Sequence, residues 1–137
     1  MADLTITAAN VVAQGNAVIE HGRAGATLTA GQMVYKEAAT GKFKPADNDS
    51  ATAEVRAVYG MALHASLDGQ PLAVAKSGSD VAMGAILTAG VEYYLSGTAG
   101  GIAPRADVTT GDDPIRVGMA KSTTVLNLDF ADPNVTL

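Results

Sequence analysis

The chain carries one pattern twice, and this constrains its fold more than any other feature. Ala26-Thr27-Leu28-Thr29-Ala30-Gly31, then Tyr35, Pro45-Ala46-Asp47 and Gly60-Met61-Ala62, return as Ala85-Ile86-Leu87-Thr88-Ala89-Gly90, Tyr94, Pro104-Arg105-Ala106-Asp107 and Gly118-Met119-Ala120. Leu28 and Leu87 stand 59 residues apart, as do Pro45 and Pro104, while Gly60 and Gly118 stand 58 apart. Four landmarks in one order at a nearly constant offset indicate an internal duplication. Two copies are too few for a solenoid, so the expectation is one domain of two similar halves, each covering the other's apolar face. Residues 26–84 form the first repeat and 85–130 the second. An N-terminal arm or strand segment, 1–25, precedes them and a tail, 131–137, follows.

Local signals within each half are those of short strands and turns. Leu4, Ile6 and Ala8 alternate with Thr5 and Thr7, and Leu126, Leu128 and Phe130 alternate with Val125, Asn127 and Asp129. Period two is the pattern of a half-buried strand. Met33 to Lys36, Lys42 to Lys44, Val58 to Leu63, Leu72 to Lys76, Glu92 to Leu95 and Ile115 to Lys121 are further short runs bounded by turn residues. Asp68-Gly69 reads as a tight turn, since glycine enters positive φ freely. A single short helix is expected between Ser50 and Val58, capped by Asp49 or Ser50. Pro114 breaks the equivalent stretch of the second half. The fold class is therefore all-β, a compact sandwich or barrel with jelly-roll-like character and an extended N-terminal arm.

The core must be built from small side chains, because 137 residues include 26 Ala and 15 Gly but only six aromatics. Small residues bury little area each, which points to added stabilisation from a partner or a second copy. A net charge of −5, with no basic cluster denser than Lys42-Phe43-Lys44, disfavours binding to nucleic acid. No apolar run is long enough to span a bilayer, and Met1-Ala2-Asp3 opens without a signal-peptide pattern. The expectation is a chain made in the cytosol, with no membrane partner.

Reactive chemistry is sparse. Cysteine is absent, and His21 and His64 form no paired-ligand motif. Asp47-Asn48-Asp49 begins like a calcium loop but continues with Ala51, Thr52 and Val58 where an oxygen ligand, a glycine and a glutamate belong, so it reads as an acidic, solvated turn. Gly97 to Gly101 reads as a flexible hairpin turn, because the chain beyond it is extended and no helix follows to bind phosphate. Asp112-Asp113 reads as a solvated turn pair. No catalytic, metal or cofactor-binding residue is expected, and the protein is not expected to be an enzyme.

Met1-Ala2-Asp3-Leu4-Thr5-Ile6-Thr7-Ala8-Ala9-Asn10-Val11-Val12, Asp68-Gly69-Gln70-Pro71-Leu72-Ala73-Val74 and Gly118-Met119-Ala120-Lys121-Ser122-Thr123-Thr124 resemble the capsid cement, or head decoration, proteins of tailed bacteriophages. The resemblance implies a β-rich virion protein on the outer capsid surface that bridges major capsid protein subunits and assembles as a homodimer or homotrimer. The unrepeated ends are the expected contact segments, because extended arms can add to a neighbour's sheet edge. Leu4, Ile6, Val11 and Val12 are the candidate arm residues, joined by Val135 and Leu137. The competing expectation is a glycan- or receptor-binding module on a virion, for which Tyr93-Tyr94 is the one candidate aromatic platform.

Overall fold

The computed structural model describes residues 3–137 and is all-β; Met1 and Ala2, at the start of the expected arm, lie outside the described residues. Among the described residues, eleven strands form two antiparallel sheets: β1 (Val12–Ala13), β2 (Ile19–Arg23), β3 (Met33–Lys36), β4 (Phe43–Pro45), β5 (Gly60–Ala62), β6 (Pro71–Ala75), β7 (Asp80–Ala82), β8 (Glu92–Leu95), β9 (Ile102–Pro104), β10 (Arg116–Ala120) and β11 (Val125–Ala131). The smaller sheet has the order β2-β6-β5-β3-β4, and the larger has β1-β7-β11-β10-β8-β9. Setting β1 aside, the second order is the first with every strand advanced by five. The duplication seen in sequence is thus a duplication of strand topology. The halves form a sandwich in which each contributes its own sheet, whereas a jelly roll would share strands of each half between both sheets.

This topology groups the chain differently from the repeat boundaries 26–84 and 85–130. β2 lies within residues 1–25 but belongs to the first sheet, and β7 lies within 26–84 but belongs to the second. Ile19-Glu20-His21-Gly22-Arg23 and Asp80-Val81-Ala82 share little sequence. Backbone pairing holds both strands in place and leaves their side chains free to diverge.

The repeated glycines have structural causes. Gly31 and Gly90, which close the two Leu-Thr-Ala-Gly turns, have φ of +92° and +81°, where a side chain is strained. Gly60 and Gly118 start the two Gly-Met-Ala segments for a different reason. A Cβ on Gly60 would lie 2.9 Å from the Ala75 carbonyl oxygen, and one on Gly118 would collide with that of Asn127. In both halves the neighbouring strand runs against bare backbone.

The halves do not present equivalent faces to one another. Met33, Tyr35, Ala46 and Met61 of the first half pack in the main core between the sheets. Their second-half counterparts, Glu92, Tyr94, Arg105 and Met119, lie outside that core, which instead receives Tyr93, Leu95, Val117 and Leu126. The opposite face of the smaller sheet makes a second core of Leu28, Val34, Phe43, Ala62, Leu72 and Val74. There the sheet's outer strands meet at one point, through an Ala24–Phe43 bridge and a Gly25 N–H donating to the Phe43 carbonyl at 2.7 Å.

Three local expectations change. The helix is a single turn, Ala53–Arg56, and Thr52 occupies its N-cap position without a side-chain hydrogen bond. Asp49 and Ser50 do not cap it. Leu4 and Ile6 alternate in exposure with Thr5 and Thr7 as a strand would, yet form no regular strand; Leu4 N–H donates to the Ile102 carbonyl at 2.8 Å. The Gly97–Gly101 loop is pinned to the first half. Gly100 N–H donates to Ala46 O at 2.7 Å, and Met33 N–H donates back to Gly100 O at 2.9 Å.

Candidate interaction surface

The two ends of the chain are held at different places. Ile6 and Val11 converge over Gly31, and Val11 is buried at 7% exposure. Leu4 extends the β9 edge. Leu4, Ile6 and Val11 therefore cover the domain's own core, while Val12 stands 54% exposed on β1, the outer strand of the larger sheet. Val135 and Leu137 are exposed at the other terminus. The backbone there is anchored, since Leu137 N–H donates to Asp112 O at 2.9 Å and Gly111 N–H donates to Leu137 O at 2.7 Å.

Four exposed apolar residues were not anticipated from the sequence: Val18, Ile19, Leu67 and Met119. Val12 pairs with Ala82 at one end of β7, and Val18 is fixed beside Ser79 at the other, its N–H donating to Ser79 Oγ at 2.8 Å. Val18 and its neighbour Ile19 are 55% and 44% exposed. The signal in sequence was the adjacent Val18-Ile19 pair opening an edge strand. β1 itself is only two residues long, and Gln14 Nε2 covers the Val12 carbonyl at 3.1 Å. Short edges of this kind limit indiscriminate pairing.

Both sheets also carry polar, cross-linked clusters on their surfaces. On the larger sheet, Asp80 accepts from Lys121 Nζ at 2.7 Å and Asn127 Nδ2 at 2.8 Å. The lysine, and then the amide, hold its carboxyl below the usual range against the effect of burial. Tyr94 Oη donates to Glu92 at 3.0 Å, and Arg105 stands over the Tyr94 ring at 5.8 Å. On the smaller sheet, Tyr59 Oη donates to Glu20 at 2.8 Å while Lys36 and Lys76 approach the same carboxylate at 3.3 and 3.5 Å. The tyrosine hydroxyl leads in lowering the Glu20 pKa.

Where the halves join, two expected solvated turns are partly buried. Asp113 is 5% exposed, receives Arg56 Nε at 2.8 Å, and accepts from Thr136 Oγ1 at 2.6 Å. Asn48 is 1% exposed and donates from Nδ2 to the Leu95 carbonyl at 2.8 Å. Burial, with the Asp49 carboxyl alongside, pushes Asp47 up to about 6. Contacts between the halves bury both segments, and the local sequence carries no sign of that.

Both histidines are exposed. His64 is committed to backbone: Nε2 accepts from Ala73 N–H at 3.1 Å and Nδ1 faces the Ala65 carbonyl at 3.0 Å, an arrangement suited to the Nδ1–H tautomer. Among the described residues no three His, Cys, Asp or Glu side chains converge as metal ligands, and no helix is long and apolar enough to cross a membrane. An open groove of about 320 Å³ runs along Glu92, Tyr94, Pro114 and Arg116. No protein-family model matches the chain, and no curated protein matches it either.

Proposed function

We propose that this chain is a structural capsid cement, or decoration, protein. In this reading it binds the outer surface of a tailed-phage head, bridges and stabilises major capsid protein subunits, and acts as a homo-oligomer without catalysis. The observation that carries the reading is a set of exposed apolar residues at sheet edges: Val12 on β1 at the outer edge of the larger sheet, Val18 held beside Ser79 just before β7, and Ile19 opening the edge strand β2 of the smaller sheet. An apolar group beside a sheet edge suits a partner that adds a strand, where backbone hydrogen bonds supply affinity and side chains supply register. Many weak contacts on a lattice sum through multivalency, so a small contact on each copy is sufficient.

A protein that binds only the expanded lattice stabilises it by mass action. Co-sedimentation with purified expanded and unexpanded heads tests the proposal: selective pelleting with expanded heads is expected, and equal or absent pelleting with both overturns it. The alternative, a glycan- or receptor-binding module, would present stacked aromatics. Tyr93 is 3% exposed and Tyr94 is half-buried on the opposite face, which favours the cement reading.

A further inference from the structure

The loop following β4 runs through the junction of the halves, and its three consecutive polar residues are arranged in an unusual way. Asn48 is fixed on several sides: its N–H donates to Ser96 O at 3.2 Å, its carbonyl accepts from Asp113 N–H at 3.1 Å, and its Nδ2 is held by Leu95 O. Its Oδ1 is buried and has no hydrogen-bond partner among the described residues. A buried acceptor left bare in this way is destabilising, because it has lost water and gained no partner.

Asp49 directs an oxygen to the same place. A Cβ built on Gly97 would lie 3.3 Å from Asn48 Oδ1 and 3.3 Å from Asp49 Oδ2. The missing side chain at Gly97 keeps that space open. Asp47 belongs to the same turn, its Oδ1 accepting from the Asp49 N–H at 3.3 Å. Among the described residues no lysine or arginine forms an ion pair with either carboxylate, and Arg56 is engaged by Asp113.

We propose that Asp47, Asn48 and Asp49 form a binding site for a hard divalent cation of the Ca²⁺ class, seated beside Gly97 where the two halves meet. The donors are all oxygens, which selects against Zn²⁺ and other metals that favour nitrogen or sulfur. Ca²⁺ accepts a mixture of carboxylate, amide and water oxygens in irregular geometry, whereas Mg²⁺ demands a near-ideal octahedron. Two carboxylates and one amide are a low-charge set, so the expected Kd is on the order of 10⁻⁴–10⁻³ M. The cation would satisfy the bare Asn48 oxygen and brace a loop already bonded to Leu95 and Ser96 of the second half. This site is independent of capsid binding.

The test uses the full chain in solution, titrated with CaCl₂ by calorimetry and followed by melting temperature. Saturable heat in the stated range is expected, with a rise of about 5 °C at 10 mM CaCl₂ and none from NaCl at equal ionic strength. Asp49→Asn, at an exposed position, and Gly97→Ala, which fills the space between the two oxygens, should each weaken binding at least tenfold. Asp68→Asn, outside the site, should leave it unchanged. Substoichiometric Mn²⁺ should broaden the amide resonances of residues 47–49 and 97 first. The proposal fails if Ca²⁺ produces no saturable response, if NaCl reproduces the shift, if folded Asp49→Asn binds as well as the parent, or if broadening centres elsewhere.

Discussion

Tyr35 and Tyr94 occupy the same position in the two repeats and face opposite environments. Tyr35 is 7% exposed in the core between the sheets, whereas Tyr94 lies outside that core, bonded to Glu92 beneath Arg105. The face that one half uses for apolar packing has become, in the other, a polar outer surface. Two copies of one unit that pack through non-equivalent faces leave one such face uncovered, and Glu92 and Arg105 make it compatible with water.

The asymmetry predicts unequal costs for the same substitution. Tyr35→Ala should lower unfolding free energy by about 3–5 kcal/mol, as expected for a buried aromatic. Tyr94→Ala should cost about 1–2 kcal/mol, from partial burial and one hydrogen bond. Urea denaturation of both variants checks this, and equal losses would contradict the packing described.

Glycine substitutions should rank by what surrounds them. Gly118→Ala forces a methyl into the Asn127 carbonyl and should destabilise by about 1–3 kcal/mol, with strand movement. Gly69→Ala, in open space at φ +85°, should cost about 1–2 kcal/mol from backbone strain alone. Gly15→Ala, with open space and an ordinary φ, should stay within about 0.5 kcal/mol. Thermal melts of the three variants order them.

The Asp80–Lys121 pair predicts an acid-sensitive contribution. Asp80 in the folded state lies below its ordinary value of 3.8. Its stabilisation is therefore complete above that value and lost as pH falls through the lower folded-state value. Asp80→Asn should cost about 1–2 kcal/mol at pH 7, and the gap from the parent should close progressively on acidification below the ordinary value of 3.8. A gap that persists unchanged to pH 2 would mean that Asp80 acts through packing.

Truncation separates the arm from the core. Removing residues 1–7 takes away half-buried Leu4 and Ile6 and should cost about 1–3 kcal/mol while leaving the domain folded. Removing residues 1–12 also uncovers the Val11 site over Gly31 and should cost about 1–2 kcal/mol more. Both truncations should fold in circular dichroism spectra, and head binding should be lost on removal of Val12. Full head binding by the 13–137 chain would exclude Val12 from the contact.

The duplication, the all-β class and most strand positions were legible in the sequence because they rest on local rules. Period-two alternation, glycine at positive φ in Gly31 and Gly90, and glycine under a neighbouring strand at Gly60 and Gly118 repeat wherever the same backbone repeats. β1, β2, β7 and the anchoring of Leu4 were less legible. Short edge strands are held by backbone pairing and need no distinctive side chains.

The sequence by itself determined that two like units would form, and where each would turn. Only the tertiary structure decided how they meet: Tyr35 inward and Tyr94 outward, Asn48 and Asp113 buried in what local sequence marks as solvated turns, and Val12 left exposed beside a core that Val11 closes. Local propensity acts within one strand or turn. Which face is buried depends on what the other half brings against it, and that contact is non-local.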